Sequence, residues 1–465
     1  MKPWRSLVRW LAAGALVAVA GAAAAASTTV DYGLFGTLHL SRPATPATRM
    51  LLLFADGTGW SARDDMLGAA FARAGALVVG IDTRAYLARM ESIKDACSYP
   101  AGHVEEVAHW IARHEGLASY SAPLLVGDGA GASFAYAVAM QAPAGTFEGL
   151  VTLGWRSALH LPKPICAGDT GAMTRADGAA GYRIMPVARP ALPWWPRPFA
   201  NGATIDGLGA PLARLRRWLG ALWPPLAQRP PPVAAQDLYR DWRARQDAAT
   251  PALPDDVADL PLTEVEPVGD ASARIVIMLT GDGGWAGLDR GVAQALAARG
   301  MRVIGLSTLK FFWHTQTPQA SADAVARVMA HYARGHDDAR FVLVGYSFGA
   351  SLVPVVLNRL PPALRSRVDL GVMISPDDSA VFEIHVGDWF GSTRHEGALP
   401  LGPELDRNTT PLLCVQGADE DDSYCRKPLP ANVRQASLPG GHHYDGDYAA
   451  LGDLIARRAS AGQTP

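Results

Sequence analysis

The stretch LVGYSFGASLV, residues Leu343 to Val353, carries a Gly-x-Ser-x-Gly motif centred on Ser347. The preceding segment Phe341–Val344 is apolar and predicts a buried strand, whereas the Ala- and Leu-rich residues after the motif predict a helix. A serine between a strand and a helix is either a nucleophile on a strained turn or simply a small residue at a junction. The rest of the sequence favours the nucleophile.

The chain contains an internal repeat. The segment RMLLLFADGTGW from Arg49 aligns without gaps with RIVIMLTGDGGW from Arg274, and the alignment continues through a second apolar run in each copy. Each copy predicts a strand, a Gly-rich loop, an amphipathic helix and a second strand, which is the βαβ unit of a parallel sheet. In LVGDGAGAS, which corresponds to LVGYSFGAS, Gly129 replaces the serine. The repeat therefore indicates two α/β domains, of which the first lacks this nucleophile.

The second copy contains a serine, an aspartate and histidines in a defined order along the chain. After Ser347, a predicted strand over Leu412–Gln416 runs into Asp419, and a late loop contains His442 and His443. Ser, then Asp, then His is the chain order of an α/β-hydrolase triad. The hydroxyl needs an imidazole to accept its proton, and the imidazole needs a carboxylate to fix its tautomer.

Two members of the triad have neighbours that compete for the same role. We assign the acid to Asp419 because it lies nearest to the end of the strand. Three acidic residues that follow it directly are alternatives: Glu420, Asp421 and Asp422. We assign the base to His443, which lies well inside the late loop, with His442 as the second choice.

The oxyanion hole should combine two backbone N–H groups. One is expected from Phe348, directly after the nucleophile. The other is expected from the loop Gly281–Trp285 after the first strand of the domain, at Asp282 or Gly283.

The amino terminus indicates export. Residues 1–26 combine a basic start, an apolar run and an Ala24-Ala25-Ala26 cleavage motif, which is typical of a signal peptide, although an uncleaved membrane anchor is the alternative. The chain of 465 residues has a formal net charge of −2, which excludes bulk attraction to nucleic acid. The bacterial-type composition then suggests the periplasm, where four cysteines favour disulfides. Of three possible connectivities, Cys97–Cys166 with Cys414–Cys425, one pair per domain, is the simplest.

The predicted domains are 27–189 and 266–465, joined by a Pro-rich linker over 190–265. Within the linker, the segment Ile205–Trp223 can be an interfacial membrane helix or a helix docked on a domain. No cysteine or histidine spacing indicates a metal site, and no motif predicts a cofactor.

Four motifs of this sequence are similar to those of the VirJ/AcvB family of bacterial virulence proteins: GDGGW, GYSFGA, GADEDDSYC and GGHHYDGDY. The two hydrolase-like halves behind a signal peptide resemble the longer form in that family. The resemblance implies a periplasmic α/β-hydrolase fold and hydrolysis of lysyl-phosphatidylglycerol to lysine and phosphatidylglycerol. It also implies a link to type IV secretion and virulence.

A lysyl ester would place cationic amines in the pocket, so that carboxylates such as Asp282 and Asp377 can bind them, and Trp285 can pack against lipid. An alternative is an exported adaptor that uses both lobes to bind type IV secretion components or substrates and performs no catalysis. The two hypotheses differ in whether Ser347 is required.

Overall fold

The computed structural model describes eleven stretches of the chain: residues 27–94, 96–155, 158–159, 161–166, 174–176, 182–184, 192–197, 231–249, 253–336, 338–384 and 397–461. Within them lie two sheets of seven strands each. The proposed signal peptide and the segment Ile205–Trp223 fall outside these residues.

The first sheet is mainly parallel. Its strands are β1 Ser27–Tyr32, β2 Gly36–Ser41, β3 Met50–Phe54, β4 Leu77–Ile81, β5 Leu124–Asp128, β6 Gly149–Leu153 and β10 Trp194–Arg197. Three short strands lie between β6 and β10 in the chain: β7 Ala158–Leu159, β8 Thr174–Ala176 and β9 Tyr182–Ile184. The spatial order is β1-β2-β4-β3-β5-β6-β10. β1, β2 and β4 pair antiparallel, and the other pairs are parallel. A separate small sheet of three strands joins β7, β9 and β8.

Helices cover both faces of the first sheet. They are α1 Ala62–Arg73, α2 Thr83–Met90, α3 Pro100–His114, α4 Ala130–Gln141 and, further along the chain, α5 Pro231–Ala249. α1 and α5 pack on the face that carries Leu51 and Leu53. α2, α3 and α4 pack on the opposite face, with Leu52 and Phe54. Burial of both faces explains why β3 is an unbroken apolar run instead of an alternating one.

The second sheet repeats this plan. Its strands are β11 Leu262–Val265, β12 Arg274–Leu279, β13 Arg302–Leu306, β14 Arg340–Tyr346, β15 Val368–Ile374, β18 Leu412–Gly417 and β19 Val433–Leu438. Two short strands between β15 and β18 in the chain pair antiparallel with each other: β16 Ser379–Ala380 and β17 Leu399–Pro400. The order is β11-β13-β12-β14-β15-β18-β19, and β11 alone is antiparallel to its neighbour in this sheet. Both domains thus have the predicted fold, that of tandem α/β-hydrolase-like domains with mainly parallel sheets flanked by helices.

The helices of the second domain are α6 Gly287–Ala297, α7 Thr308–Phe311, α8 Pro318–Tyr332, α9 Phe348–Arg359, α10 Pro362–Arg365, α11 Leu401–Asp406 and α12 Tyr448–Ala461. α6 and α12 pack on one face of the sheet, and α8 and α9 pack on the other. None of the described helices is long and apolar enough to span a bilayer.

The two domains meet at the carboxyl end of α3 and the loop after it. Trp313 of the second domain is 1% exposed, and its indole N–H donates to the carbonyl of Leu117 across 2.8 Å. The guanidinium of Arg113 lies 4.3 Å from the centre of the Trp313 ring and donates to the carbonyl of Ile384. A buried tryptophan with its polar atom satisfied in the other domain fixes the approach of α3 to the second sheet.

Both predicted disulfides are confirmed, Cys97–Cys166 in the first domain and Cys414–Cys425 in the second. Both sheets also extend into the proposed linker over 190–265. β10 adds an edge strand to the first sheet, and β11 adds one to the second. α5 lies against α1 and buries Tyr239 and Trp242.

Candidate active site

Ser347 stands on a strained turn between β14 and α9. Its φ of 51° and ψ of −116° lie outside the regions that side chains normally adopt. The turn is tight because a Cβ on Gly345 would stand 2.2 Å from the carbonyl oxygen of Gly349, and one on Gly349 would stand 2.3 Å from that of Leu279. The two motif glycines therefore allow the backbone crossing that lifts the serine out of the sheet.

His442 is the histidine that faces this serine. Its Nε2 lies 3.1 Å from the Ser347 hydroxyl oxygen, and its Nδ1 lies 2.7 Å from Oε1 of Glu420. The three side chains form the hydrogen-bonded relay that a serine nucleophile requires. Glu420 follows β18 and His442 follows β19, so all three come from the carboxyl ends of strands of one sheet.

The assignment of the acid to Asp419 is wrong in this structure. The chain turns sharply after β18, with the N–H of Glu420 bonded to the carbonyl of Gly417 and that of Asp419 to the carbonyl of Gly440. This turn leaves Asp419 exposed and directs Glu420 inward, where it is 5% exposed. Glu420 also accepts from the Ser375 hydroxyl at 2.7 Å and from the Gly417 N–H at 3.1 Å. Asp421 and Asp422 are exposed as well.

The preference for His443 over His442 is also wrong. His443 is exposed, and its Nδ1 lies 3.1 Å from the Tyr346 hydroxyl on the strand before the nucleophile. A short 3-10 turn begins directly after it, at Tyr444–Gly446. The turn places successive side chains on different sides of the loop, so only His442 reaches Ser347.

Burial and hydrogen bonding have opposite effects on the pKa values of His442 and Glu420. Burial lowers the pKa of His442, but the hydrogen bond and charge of Glu420, together with Asp377 and Asp282, raise this pKa above its usual value. Burial raises the pKa of Glu420, whereas hydrogen bonds from His442, Ser375 and Gly417 bring it below its usual value. Glu420 is therefore an anion over a broad pH range and can stabilise an imidazolium.

The loop Gly281–Trp285 lies beside the nucleophile, since a Cβ on Gly281 would stand 3.8 Å from that of Ser347. The carboxyl of Asp289, 3% exposed, accepts backbone hydrogen bonds from Gly281 and Ala286 and holds the loop in place. Phe348 is the first residue of α9, so its N–H has no acceptor within the helix.

In the first domain, the corresponding backbone N–H groups bind an anionic oxygen. There, Asp56 Oδ1 accepts from the N–H of Gly57 and from that of Ala130, each at 2.8 Å. In the internal alignment, Gly57 corresponds to Asp282 and Ala130 to Phe348. Two backbone donors of the repeat thus converge on one carboxylate oxygen in front of the elbow.

Three carboxylates lie near His442 or near the loop Gly281–Trp285. Asp282 and Asp377 both act on the charge of His442. Asp377 is exposed as a residue, while burial of its carboxyl, with further carboxylates nearby, raises its pKa to about 6. The third is Glu105 of the first domain, which the sequence alone did not indicate; its Oε1 lies 3.9 Å from the position of a Cβ on Gly283.

Other residues expected at the site lie elsewhere. The ring of Trp285 packs on β13, because a Cβ on Gly305 would stand 2.1 Å from it. His314 and Glu383 lie at the domain boundary, and His331 lies on α8, where it contacts Asp256. His385, His395 and Trp389 fall outside the described residues. In the part of the chain that the structure describes, no group of three His, Cys, Asp or Glu is arranged for a metal ion.

Ser347, Glu420 and His442 follow the ends of β14, β18 and β19, so the second domain has the fold and the site geometry of an α/β serine hydrolase. Residues 273–461 match the family model described as "Bacterial virulence protein (VirJ)". Over these residues, the second domain is similar to the VirJ family.

Solved structures similar to this chain include Est1E from Butyrivibrio proteoclasticus, at 14% identity over 43% of this chain and 93% of that one, with a TM-score of 0.31. An α-beta serine hydrolase homologue from Coxiella burnetii is 15% identical over 42% of this chain and 89% of its own, with a TM-score of 0.31. MenH from S. aureus is 11% identical over 44% of this chain and 99% of its own, with a TM-score of 0.34. No curated protein sequence matches the chain.

Proposed function

We propose that this protein is a periplasmic serine esterase that hydrolyses lysyl-phosphatidylglycerol to lysine and phosphatidylglycerol. The observation that carries the proposal is the relay from Ser347 through His442 to Glu420, with heavy-atom separations of 3.1 and 2.7 Å. An aminoacyl ester is a suitable substrate for such a relay, because its alkoxide leaving group departs once it is protonated.

In the first half of the reaction, Ser347 Oγ attacks the lysyl carbonyl carbon and its proton passes to Nε2 of His442. Glu420 holds the other ring nitrogen and stabilises the imidazolium that forms. His442 then donates the proton to the glycerol oxygen as the ester C–O bond breaks. Phosphatidylglycerol leaves, and the lysyl group remains bound to the serine as an ester.

In the second half, water replaces the lipid alcohol. His442 removes a proton from the water, the hydroxide attacks the acyl carbon, and the C–O bond to Ser347 breaks. The proton on His442 returns to the serine oxygen. Lysine is released and the enzyme regains its starting state, so neither half-reaction requires a cofactor.

The backbone N–H groups of Phe348 and Asp282 are our choice for the oxyanion hole. Their counterparts in the first domain, Ala130 and Gly57, hold an anionic oxygen of Asp56 at 2.8 Å each. Donors that are fixed before the reaction stabilise the tetrahedral intermediate without further rearrangement. Gly283, the other expected donor, has no such counterpart.

The choice of substrate rests on charge and on family. Asp282 and Asp377 bring negative charge to the serine, which suits a cationic aminoacyl group. Similarity of residues 273–461 to the VirJ family model supports a role in virulence, and the two disulfides fit an exported protein. The substrate would then be reached at the outer surface of the inner membrane.

A second candidate is an adaptor for type IV secretion components or substrates. The observation that favours it is the first domain, which retains the fold and has Gly129 in place of a nucleophile. The two functions are compatible if the first domain docks and the second domain catalyses.

The decisive experiment measures lysine release from lysyl-phosphatidylglycerol vesicles by mature wild-type protein and by Ser347→Ala. We expect release by the wild type only, with both proteins folded. Secretion that is unaffected by Ser347→Ala but lost on deletion of the first domain would support the adaptor. Absence of lysine release from the wild type would reject the lipid substrate.

A further inference from the structure

The loop Gly281–Trp285 of the second domain packs directly against the first domain. A Cβ on Gly145 of the first domain would stand 2.6 Å from the carbonyl oxygen of Trp285. Close by, the Cβ of Pro143 lies 3.1 Å from the position of a Cβ on Gly287, the first residue of α6. The connection that follows α4 in the first domain therefore lies against both this loop and the start of α6.

This connection is a turn, Pro143–Thr146, which we call the α4 turn, and it has a fixed base. The N–H of its last residue donates to the carbonyl of its first residue at 3.2 Å. Gln141, the last residue of α4, is fully buried just before the turn. Its side-chain oxygen accepts from the N–H of Ala101 in α3 at 3.0 Å, and its amide N–H donates at 3.0 Å to the carbonyl of Cys166, a disulfide residue. The turn is thus mounted on the core of the first domain.

The loop that the α4 turn contacts has little rigidity of its own. Three of the five residues of Gly281–Trp285 are glycines, which have the widest backbone freedom. Within the second domain, the carboxyl of Asp289 accepts from the N–H groups of Gly281 and Ala286. The α4 turn meets the loop between these two anchor points. Because the proposed oxyanion donor Asp282 belongs to the same stretch, a shift of the loop would move that donor.

The matching loop of the first domain is more exposed. Gly57 and Thr58 are exposed, whereas their counterparts Asp282 and Gly283 are partly buried. In the first domain, the N–H groups in front of the elbow bind the carboxylate of Asp56 in their own loop. The second domain has a glycine at that position, so its loop lacks this internal carboxylate. The copy of the loop beside the nucleophile is thus the one that another domain covers.

We propose that Gly145 and Pro143 are positioning residues for the oxyanion hole of the second domain, so that the noncatalytic domain is needed for full activity of Ser347. The inference rests on the proposed function and gives the first domain a task within the same chain. An oxyanion donor stabilises the tetrahedral intermediate more than the bound ester. Displacement of the loop should therefore lower kcat and leave KM unchanged.

The test uses the full mature chain and p-nitrophenyl acetate, a neutral ester that requires no recognition of lipid or lysine. Wild type, Gly145→Ala and the control Gly75→Ala are compared by kcat, KM and urea unfolding, after subtraction of the rate of Ser347→Ala. Gly75 also lies in the first domain, and its φ of +102° matches the +101° of Gly145, so both substitutions impose the same backbone strain. A Cβ on Gly75 would lie 3.6 Å from the end of the Arg243 side chain, an ordinary van der Waals distance.

We expect Gly145→Ala to lower kcat about tenfold or more and to leave KM within about twofold of the wild type, since loss of a whole oxyanion donor costs about 10²- to 10³-fold. Gly75→Ala should lose a comparable amount of stability and retain the wild-type kcat. Equal kcat values for the two variants, or a rise in KM without a fall in kcat, would overturn the inference while leaving the esterase in place.

A second variant decides the matter if Gly145→Ala has no cooperative unfolding transition. Pro143→Gly removes the side chain that contacts Gly287 and introduces no steric overlap. It should lower kcat about threefold or more with KM unchanged, and a wild-type kcat would overturn the inference. A wild type that hydrolyses neither p-nitrophenyl acetate nor lysyl-phosphatidylglycerol would instead reject the proposed function, and the inference with it.

Discussion

The carboxylate of Asp56 accepts a hydrogen bond from the backbone N–H of Ala130 across 2.8 Å, at the position where an active domain would hold its oxyanion. The first domain therefore lacks a nucleophile and also has its anion-binding donors occupied by its own side chain. Two residues of the first domain, Gly129 and Asp56, therefore disfavour catalysis at this position.

Restoring the serine alone should not restore activity. A Cβ at position 129 would stand 2.3 Å from Asp56 Oδ1, and φ of Gly129 is +57°. We expect Gly129→Ser, in a Ser347→Ala background, to show no esterase activity and to lose about 1–3 kcal/mol of unfolding free energy in urea. The double change with Asp56→Gly, which copies Gly281, should recover part of that stability. Full stability of the single variant would contradict the reasoning.

Glu420, and not Asp419, should support catalysis. An amide at position 420 cannot stabilise the imidazolium, so Glu420→Gln should lower kcat by about 10³- to 10⁴-fold. Asp419→Asn changes an exposed side chain and should stay within about twofold of the wild type. Initial rates of ester hydrolysis with the purified variants separate the two, and the reverse pattern would restore the assignment made from sequence.

The two adjacent histidines should differ in the same way. His442→Ala removes the group 3.1 Å from the Ser347 oxygen and should abolish measurable turnover. His443→Ala removes a contact with Tyr346 and should retain most of the activity. Labelling of Ser347 by a fluorophosphonate probe provides a readout that is independent of the substrate, and equal labelling of both variants would argue against His442 as the base.

The pH profile should report the charge around His442. The base must be neutral to act, and its pKa is raised by Glu420, Asp377 and Asp282, so kcat/KM should fall as pH drops through that raised value. Asp377→Asn removes one of the raising charges and should move the acidic limb to lower pH. The profile is best measured with a neutral ester, and an unmoved limb would show that Asp377 has no influence on His442.

Trp313 should be essential for the association of the two domains. Its side chain is 1% exposed, and its indole N–H is bonded to Leu117 of the first domain. Trp313→Ala should cost about 3–5 kcal/mol of unfolding free energy and separate one unfolding transition into two. Calorimetry distinguishes this from a uniform loss, and a single unchanged transition would mean that the boundary is held elsewhere.

The repeat, the parallel sheets, the nucleophile and both disulfides could be predicted because each leaves a pattern in the sequence. Gly129 and Ser347 occupy matching motifs, and the cysteines are divided evenly between the halves. The predicted acid and the predicted base each lie one position away from the residues that form the relay with Ser347. Four consecutive carboxylates follow β18, and only the turn closed by Gly417 decides which of them faces inward.

Glu105 left no local signal at all. It lies within an ordinary amphipathic helix, far from the motifs in sequence, and its place beside the loop Gly281–Trp285 depends on how the two domains dock. Such a contact is set by tertiary packing, which periodicity and motif spacing do not record. The proposed choice of Asp282 over Gly283 as an oxyanion donor, by contrast, combines the repeat with the contacts of Asp56 in the first domain.

The Cys414–Cys425 bridge begins inside β18 and closes just after the loop that presents Glu420. Without the bridge, that loop would keep its sequence but lose the covalent tie that limits its excursions. If the protein is exported as proposed, newly made chains in a reducing cytosol would hold Glu420 less firmly, and full activity would follow oxidation of the bridge after export. With the proposed substrate, cleavage of aminoacyl esters would thereby be delayed until the protein has left the cytosol.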